Sequence, residues 1–222
     1  RRDLAAAYNW QGRYDDSAAQ TAQARAFFES KNLKAEAEAC AFAESARLRW
    51  AGNFAAALDT LTQAEATFAE AGLPIEEATA WLYQGSVYAA SMEFAPALDC
   101  LRRAETRLER LDLPMRLALC RTEMGIVALT QGRLRDAEQW HRFAAESFRS
   151  LGMRGDFAMA MMNLANVRFY QGELDDARAL YSDARQEFNS IGNRLYEALC
   201  DANIGVVDSE SGRYGQALAH HE

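Results

Sequence analysis

Residues 125–144 read GIVALTQGRLRDAEQWHRFA, and the glycine at position 132 is one of a series. Gly12, Gly52, Gly132, Gly172 and Gly212 are separated by 40, 80, 40 and 40 residues, so the chain repeats with a period of 40. Met92 fills the one slot that lacks glycine. An aromatic residue or leucine stands two places after each slot, at Tyr14, Phe54, Phe94, Leu134, Leu174 and Tyr214. Ala57, Ala97, Ala137, Ala177 and Ala217, headed by Ser17, form a second column at the same step, and Phe28, Phe68, Leu108, Phe148 and Phe188 form a third. Another turn recurs about 20 residues after the first, at Asn32, Gly72, Asp112, Gly152 and Gly192. Each repeat is therefore two segments and two turns.

Both segments read as helices, because apolar residues such as Ala57, Leu58, Leu61, Ala64 and Phe68 fall at steps of three and four. Pro74 and Pro114 follow the second turn and Pro96 lies in the first turn of a segment, positions where a missing N–H costs little. Asp15, Asp16, Asp136, Asp175 and Asp176 stand where a helix N-terminus favours negative charge. The register predicts first helices near 36–51, 76–91, 116–131, 156–171 and 196–211, and second helices near 15–30, 55–70, 95–110, 135–150 and 175–190. The expected class is all-α: one array over residues 1–222, of about five full 40-residue pairs with partial ends. The chain begins without Met and ends in mid-helix at Ala217–Glu222, so it is expected to be a fragment of a longer protein.

The spacing of Gly125, Gly132, Leu134, Ala137 and Ala144, matched by Trp81, Gly85, Tyr88, Phe94, Ala97 and Ala104, resembles the tetratricopeptide repeat. That resemblance implies a right-handed superhelical solenoid of antiparallel helix pairs, with the first helices lining a concave groove. The 40-residue unit exceeds the family's usual length of about thirty-four. In this it is similar to Leu-Gly-Asn-type spindle-orientation adaptors, kinesin light chains, and bacterial arrays joined to caspase-like CHAT protease domains or to transcription regulators. His141 and His221 match a histidine common in the adaptor subgroup, whereas Arg121 and Asp201 depart from the pattern by standing in the column of Trp81.

Twenty-four Lys and Arg against 32 Asp and Glu give a net charge of −8 and a pI near 5.1, which argues against a nucleic-acid partner. Apolar runs fall short of the roughly 18 residues a membrane span needs, so no membrane partner is expected. Cys40, Cys120 and Cys200 share a column with Ala80 and Ala160 and read as small packing residues, and Cys100 has no evident partner. With nothing pointing to an oxidising compartment, the expected location is cytoplasmic. His220, His221 and Glu222 lack metal-ligand spacing, the common hydrolase and nucleotide-binding motifs are missing, and neither catalysis nor a cofactor is expected in this segment. Arg168 and Asp208 share a column with Leu48, Tyr88 and Ala128, and are expected to meet as a partly buried ion pair that fixes register, with a partner-facing role as the alternative.

The resemblance places groove positions on Phe42, Arg49, Trp50, Leu82, Ile126, Leu129, Met159, Met162, Asn166, Phe169 and Tyr170, with Leu199 and Val206 continuing the line. Most are apolar. Three occupants stay open: the groove residues themselves, another domain of the parent chain, or a separate peptide or amphipathic helix. Related arrays use groove asparagines to bond an extended backbone, which draws attention to Asn163, Asn166 and Asn203, while Arg49 alone is too little for a clamp on a C-terminal carboxylate. The expected function is a non-catalytic scaffold for protein–protein interaction. The alternative is a regulatory or sensor arm of a larger enzyme, such as a CHAT-type protease, or of a transcription regulator.

Overall fold

A computed structural model describes residues 13–214, and within them every regular element is a helix. In chain order these are α1 (Tyr14–Ser30), α2 (Lys34–Glu38), α3 (Ala41–Trp50), α4 (Phe54–Glu70), α5 (Pro74–Ala90), α6 (Phe94–Arg110), α7 (Pro114–Thr130), α8 (Leu134–Ser150), α9 (Arg154–Gln171), α10 (Leu174–Ser190) and α11 (Arg194–Glu210). The second helices α1, α4, α6, α8 and α10 begin one residue before the expected positions. The first helices begin two residues early, because Pro74 and Pro114 are themselves the opening residues of α5 and α7. The helix expected over 36–51 is divided into α2 and α3. At the division the Cys40 N–H bonds to the Ala37 carbonyl at 3.1 Å, a three-residue step that tightens the turn.

The 40-residue period is a 20-residue period in the backbone. Every twentieth residue from Asn32 to Gly212 has positive φ. After each, the next N–H returns to a carbonyl five residues back, as in Asn53 to Leu48 (2.9 Å) and Glu173 to Arg168 (2.9 Å), which closes the helix end. Asn32 and Asp112 tolerate this left-handed conformation, but Met92 holds it at φ 67° with a side chain that is 61% exposed and gains little packing in return.

The chain divides into two compact units, one running to Glu123 and the other starting at Met124, inside α7. In the first, Ala57, Leu61 and Val87 form a core seam, with Leu48, Phe54 and Tyr83 packed against it. In the second, Ala128, Ala137 and Val167 form one cluster, and Ala165, Tyr181, Phe188 and Ile204 belong to another. The alanine column is fully buried in both, at Ala57 and Ala97 and at Ala137 and Ala177, where a methyl group is all the helix spacing admits. Cys40, Cys120 and Cys200 are likewise buried, as thiols. Burial pushes the Cys100 and Cys200 thiols up to about 11 and about 12, which keeps them protonated and unreactive.

Close approach explains the repeat's small residue. A Cβ on Gly85 would lie 2.6 Å from Leu101 Cγ, and one on Gly125 would lie 2.5 Å from His141 Cε1. His141 is thus a packing knob, as the column of Leu61, Leu101 and Tyr181 implies. It is fully buried, and neither ring nitrogen has a hydrogen-bond partner among the described residues. Burial lowers its pKa to about 4, so the ring is neutral at pH 7.

Candidate partner-binding site

The side chains of the Trp81 column, including the two that depart from the repeat pattern, bond one helix to the next. Trp81 Nε1 donates to Glu65 Oε1 at 2.6 Å, Arg121 Nε donates to Glu105 Oε1 at 2.8 Å, and Asp201 Oδ1 accepts from Arg185 Nε at 2.8 Å. Each partner stands 16 residues earlier, so a single contact position carries an indole, a guanidinium and a carboxylate, each matched to a complementary group. These two columns belong to the inter-helix seam.

Arg168 and Asp208 do not pair with each other, contrary to the sequence expectation. Arg168 donates to Glu138 at 2.7 Å and to Glu173 at 2.6 Å, while Asp208 accepts from Arg178 and Arg213, both at 2.8 Å. Residues in one column hold equivalent places in successive repeats, and each finds partners in other columns. Burial alone pushes the Asp208 carboxyl up, but hydrogen bonds from the two guanidinium groups outweigh it and leave the carboxyl below the ordinary range.

In the first unit, Phe42 stacks on Phe68 and Tyr83 at centroid distances of 5.7 and 5.1 Å. Leu82 is buried, so both of these expected groove residues spend most of their surface on the core. Trp50 differs: it is 57% exposed, with the Arg49 guanidinium 5.6 Å from its ring centroid. In the second unit, Ile126 and Leu129 are half-buried, and Leu129 packs against the Ala128–Ala137–Val167 cluster. Met162 is buried, while Met159 and Phe169 are half-buried against the α9–α11 core.

The end of α9 is more open. Tyr170 is 66% exposed and meets Phe169 edge-on at 5.6 Å. The Tyr181 hydroxyl, on a side chain otherwise buried, donates to Asn166 Oδ1 and fixes which end of that amide turns inward. Met159, Asn163, Asn166 and Tyr170 follow one another by four, three and four residues, so they form a single helical stripe. The equivalent stripe on α11 includes Leu199, Asn203 and Val206, with Leu199 and Val206 exposed. Sequence reading missed Tyr181, since a core column shared with Leu61, Leu101 and His141 carries no sign that its hydroxyl reaches the Asn166 amide.

Two shallow depressions of about 370 and 360 Å³ lie elsewhere, and none of the eleven groove candidates lines either. Among the described residues no group of three or more His, Cys, Asp or Glu is placed to hold a metal ion, and no helix is long and apolar enough to cross a membrane. His220, His221 and Glu222 lie outside the described residues, as does the expected unfinished helix at Ala217.

A family model described as tetratricopeptide repeat matches residues 156–222. Over those residues the chain matches the tetratricopeptide repeat, and the other described residues form helix pairs of the same kind. The array is similar to the crystal structure of BtubC (BKLC) from P. vanneervenii, at 16% identity and a TM-score of 0.72 over 95% of this chain and 87% of that one. It is also similar to a Rap protein complexed with competence and sporulation factor, at 16% identity and a TM-score of 0.77 over 93% of this chain and 56% of that one. A third neighbour, the kinesin light chain-like array of nearly identical repeats from Podosopora anserina, gives 12% identity and a TM-score of 0.63 over 81% of this chain and 89% of that one. At such identities the likeness concerns the fold alone, and the array spans little more than half of the Rap chain. No curated protein matches the sequence.

Proposed function

We propose that this array is a non-catalytic scaffold that holds an extended peptide segment of a partner protein against the first helices of its second unit. The observation that carries the reading is the α9 stripe, where exposed Tyr170 and half-buried Met159 flank Asn166. With Oδ1 occupied by Tyr181, Asn166 has its amide N–H groups left to give. An extended backbone offers unbonded carbonyls to such a donor, whereas a helix has already used most of its own. Tyr170, Leu199 and Val206 supply the apolar contacts that such a ligand's side chains would cover. The Rap neighbour, seen as a complex with competence and sporulation factor, is an array of this fold holding a second molecule. Trp50 with Arg49 is a second, smaller anchor in the first unit.

A random peptide library displayed against the immobilised chain tests the proposal. Selected peptides are expected to lose roughly tenfold or more in affinity when Tyr170→Ala and Val206→Ser are combined, about the cost of removing one or two anchors. Peptides that bind this double variant as tightly as the parent chain would remove the α9–α11 face from consideration.

A further inference from the structure

We propose a second docking surface, on the outer face of α6, that takes an extended polypeptide segment carrying anionic side chains. Asp99, Arg102, Arg103, Thr106, Arg107 and Arg110 follow the spacing i, i+3, i+4, i+7, i+8 and i+11 and form a single stripe along the helix. Together with Trp81 they line a shallow depression of about 370 Å³. The preceding second helix, α4, contains no Lys or Arg.

The four arginines fall into two pairs. Arg103 and Arg107 lie over the Trp81 ring, 4.2 and 5.3 Å from its centroid, and are tied to Glu65 at 3.4 Å and Glu77 at 3.0 Å. Glu65 is itself held by Trp81 and Gln84 at 2.6 and 2.8 Å, so this half of the site is built in place before any ligand arrives. Arg102 and Arg110 form no ion pair or hydrogen bond among the described residues. They are eight residues apart, a rise of about 12 Å along the helix. In an extended peptide, side chains at i, i+2 and i+4 share one face and span about 13 Å. Acidic or phosphorylated residues at alternate positions therefore match the stripe in length as well as in charge. A single small anion would satisfy one end only. A long nucleic acid would also meet the field of a chain whose net charge is −8, so a peptide is favoured.

The test uses the whole chain and fluorescein-labelled octapeptides at low salt, read by anisotropy. One peptide alternates Asp with Ser, a second replaces each Asp with Asn, a third alternates phosphoserine with Ala, and a single-stranded DNA octamer serves as the rival polyanion. The Asp or phosphoserine peptide is expected to bind, the Asn peptide to bind about tenfold more weakly, and R102Q/R110Q to weaken anionic binding about fivefold. The thermal melt of that variant should stay unchanged, because neither arginine has an ion-pair or hydrogen-bond partner among the described residues. Tighter binding of the phosphoserine peptide assigns the surface to phosphorylated segments, and parity assigns it to plain acidic ones. Failure of both anionic peptides to bind, full affinity in R102Q/R110Q, or DNA binding at least as tightly as the peptides would overturn the proposal. Tyr170→Ala leaves this binding intact, which separates its outcome from that of the α9–α11 face.

Discussion

Two charge centres one repeat apart in the second unit share a geometry and have opposite signs. Arg168 of α9 sits between Glu138 and Glu173, and Asp208 of α11 sits between Arg178 and Arg213. The partners correspond column by column, 30 residues before the central residue and five after it. What the repeat keeps is therefore complementarity at a fixed place, with the polarity free to invert. The contact of Trp81, Arg121 and Asp201 with Glu65, Glu105 and Arg185 follows the same rule. Inversion makes each junction distinct: a helix shifted by one repeat would set Arg168 against Arg178, or Asp208 against Glu138, with like charges facing. The centres differ in depth, since Asp208 is fully buried while Arg168 keeps about a fifth of its side-chain surface exposed.

That difference sets the largest expected effect. Asp208→Ala removes the carboxylate shared by two guanidinium groups, of which Arg213 keeps Asp175 at 3.0 Å, and should cost about 3 kcal/mol in urea denaturation, the low end for breaking a buried pair because Arg178 and Arg213 are 37% and 32% exposed and can rehydrate. Arg168→Ala should cost about 1 kcal/mol, as expected of a more solvated pair. Equal losses would show that depth does not separate the centres.

Acid separates a partnered buried group from an unpartnered one. His141 is neutral when folded, and its pKa falls from 6.5 to about 4. The unfolded chain therefore binds the extra proton first, and the stability this group contributes is complete above pH 6.5 and is lost as pH falls toward 4. The loss should reach about 2 kcal/mol at pH 5. The Asp208 carboxylate, held below its ordinary range, gives stability that persists through that window and fades only at lower pH. His141→Leu should flatten the curve between pH 6.5 and 4.5, and Asp208→Ala should leave its slope there unchanged. Urea midpoints across this range decide the point.

Polarity can also be transplanted. Arg168→Asp alone faces two carboxylates and should lose about 1–2 kcal/mol, and adding Glu138→Arg with Glu173→Arg should return most of it, since the triple variant copies the Asp208 centre. A triple variant no more stable than the single one would mean that the surrounding helix faces, rather than the charges, define each centre. The smallest effect is expected at the turn: Met92→Gly removes a left-handed methionine and should raise stability by about 0.5–1 kcal/mol, visible as a small rise in thermal midpoint.

Fold and register were legible in the sequence because the columns that define them are those the core selects. Ala137 and Ala177 must be methyl-sized, and Gly125 must leave room for His141. Even the Met92 exception keeps the backbone conformation of the glycines it replaces. The partners of Arg168 and Asp208 were not legible. A shared column marks shared roles, and the complementary residues stand 30 positions earlier, an offset set by how two helices cross. The candidate site was half legible: the spacing identified the helix faces, but whether a residue is core or surface depends on neighbours from other helices. Leu82 and Tyr170 are both expected groove positions by the family resemblance, yet one is buried and the other mostly open. Tyr181 lay hidden for the same reason, because its contact with Asn166 depends on the packing of α9 against α10.

The Asn166 side-chain amide offers the most direct test of where a partner sits. In a nitrogen–proton correlation spectrum of the labelled chain, titration with a selected peptide is expected to shift the Asn166 Nδ2 resonances and the Tyr170 backbone amide first, and Tyr181→Phe should weaken that binding by releasing the Asn166 carbonyl from its fixed orientation. Saturable binding with those signals unmoved, and the shifts gathered instead on the second helices α8 and α10, would contradict the account.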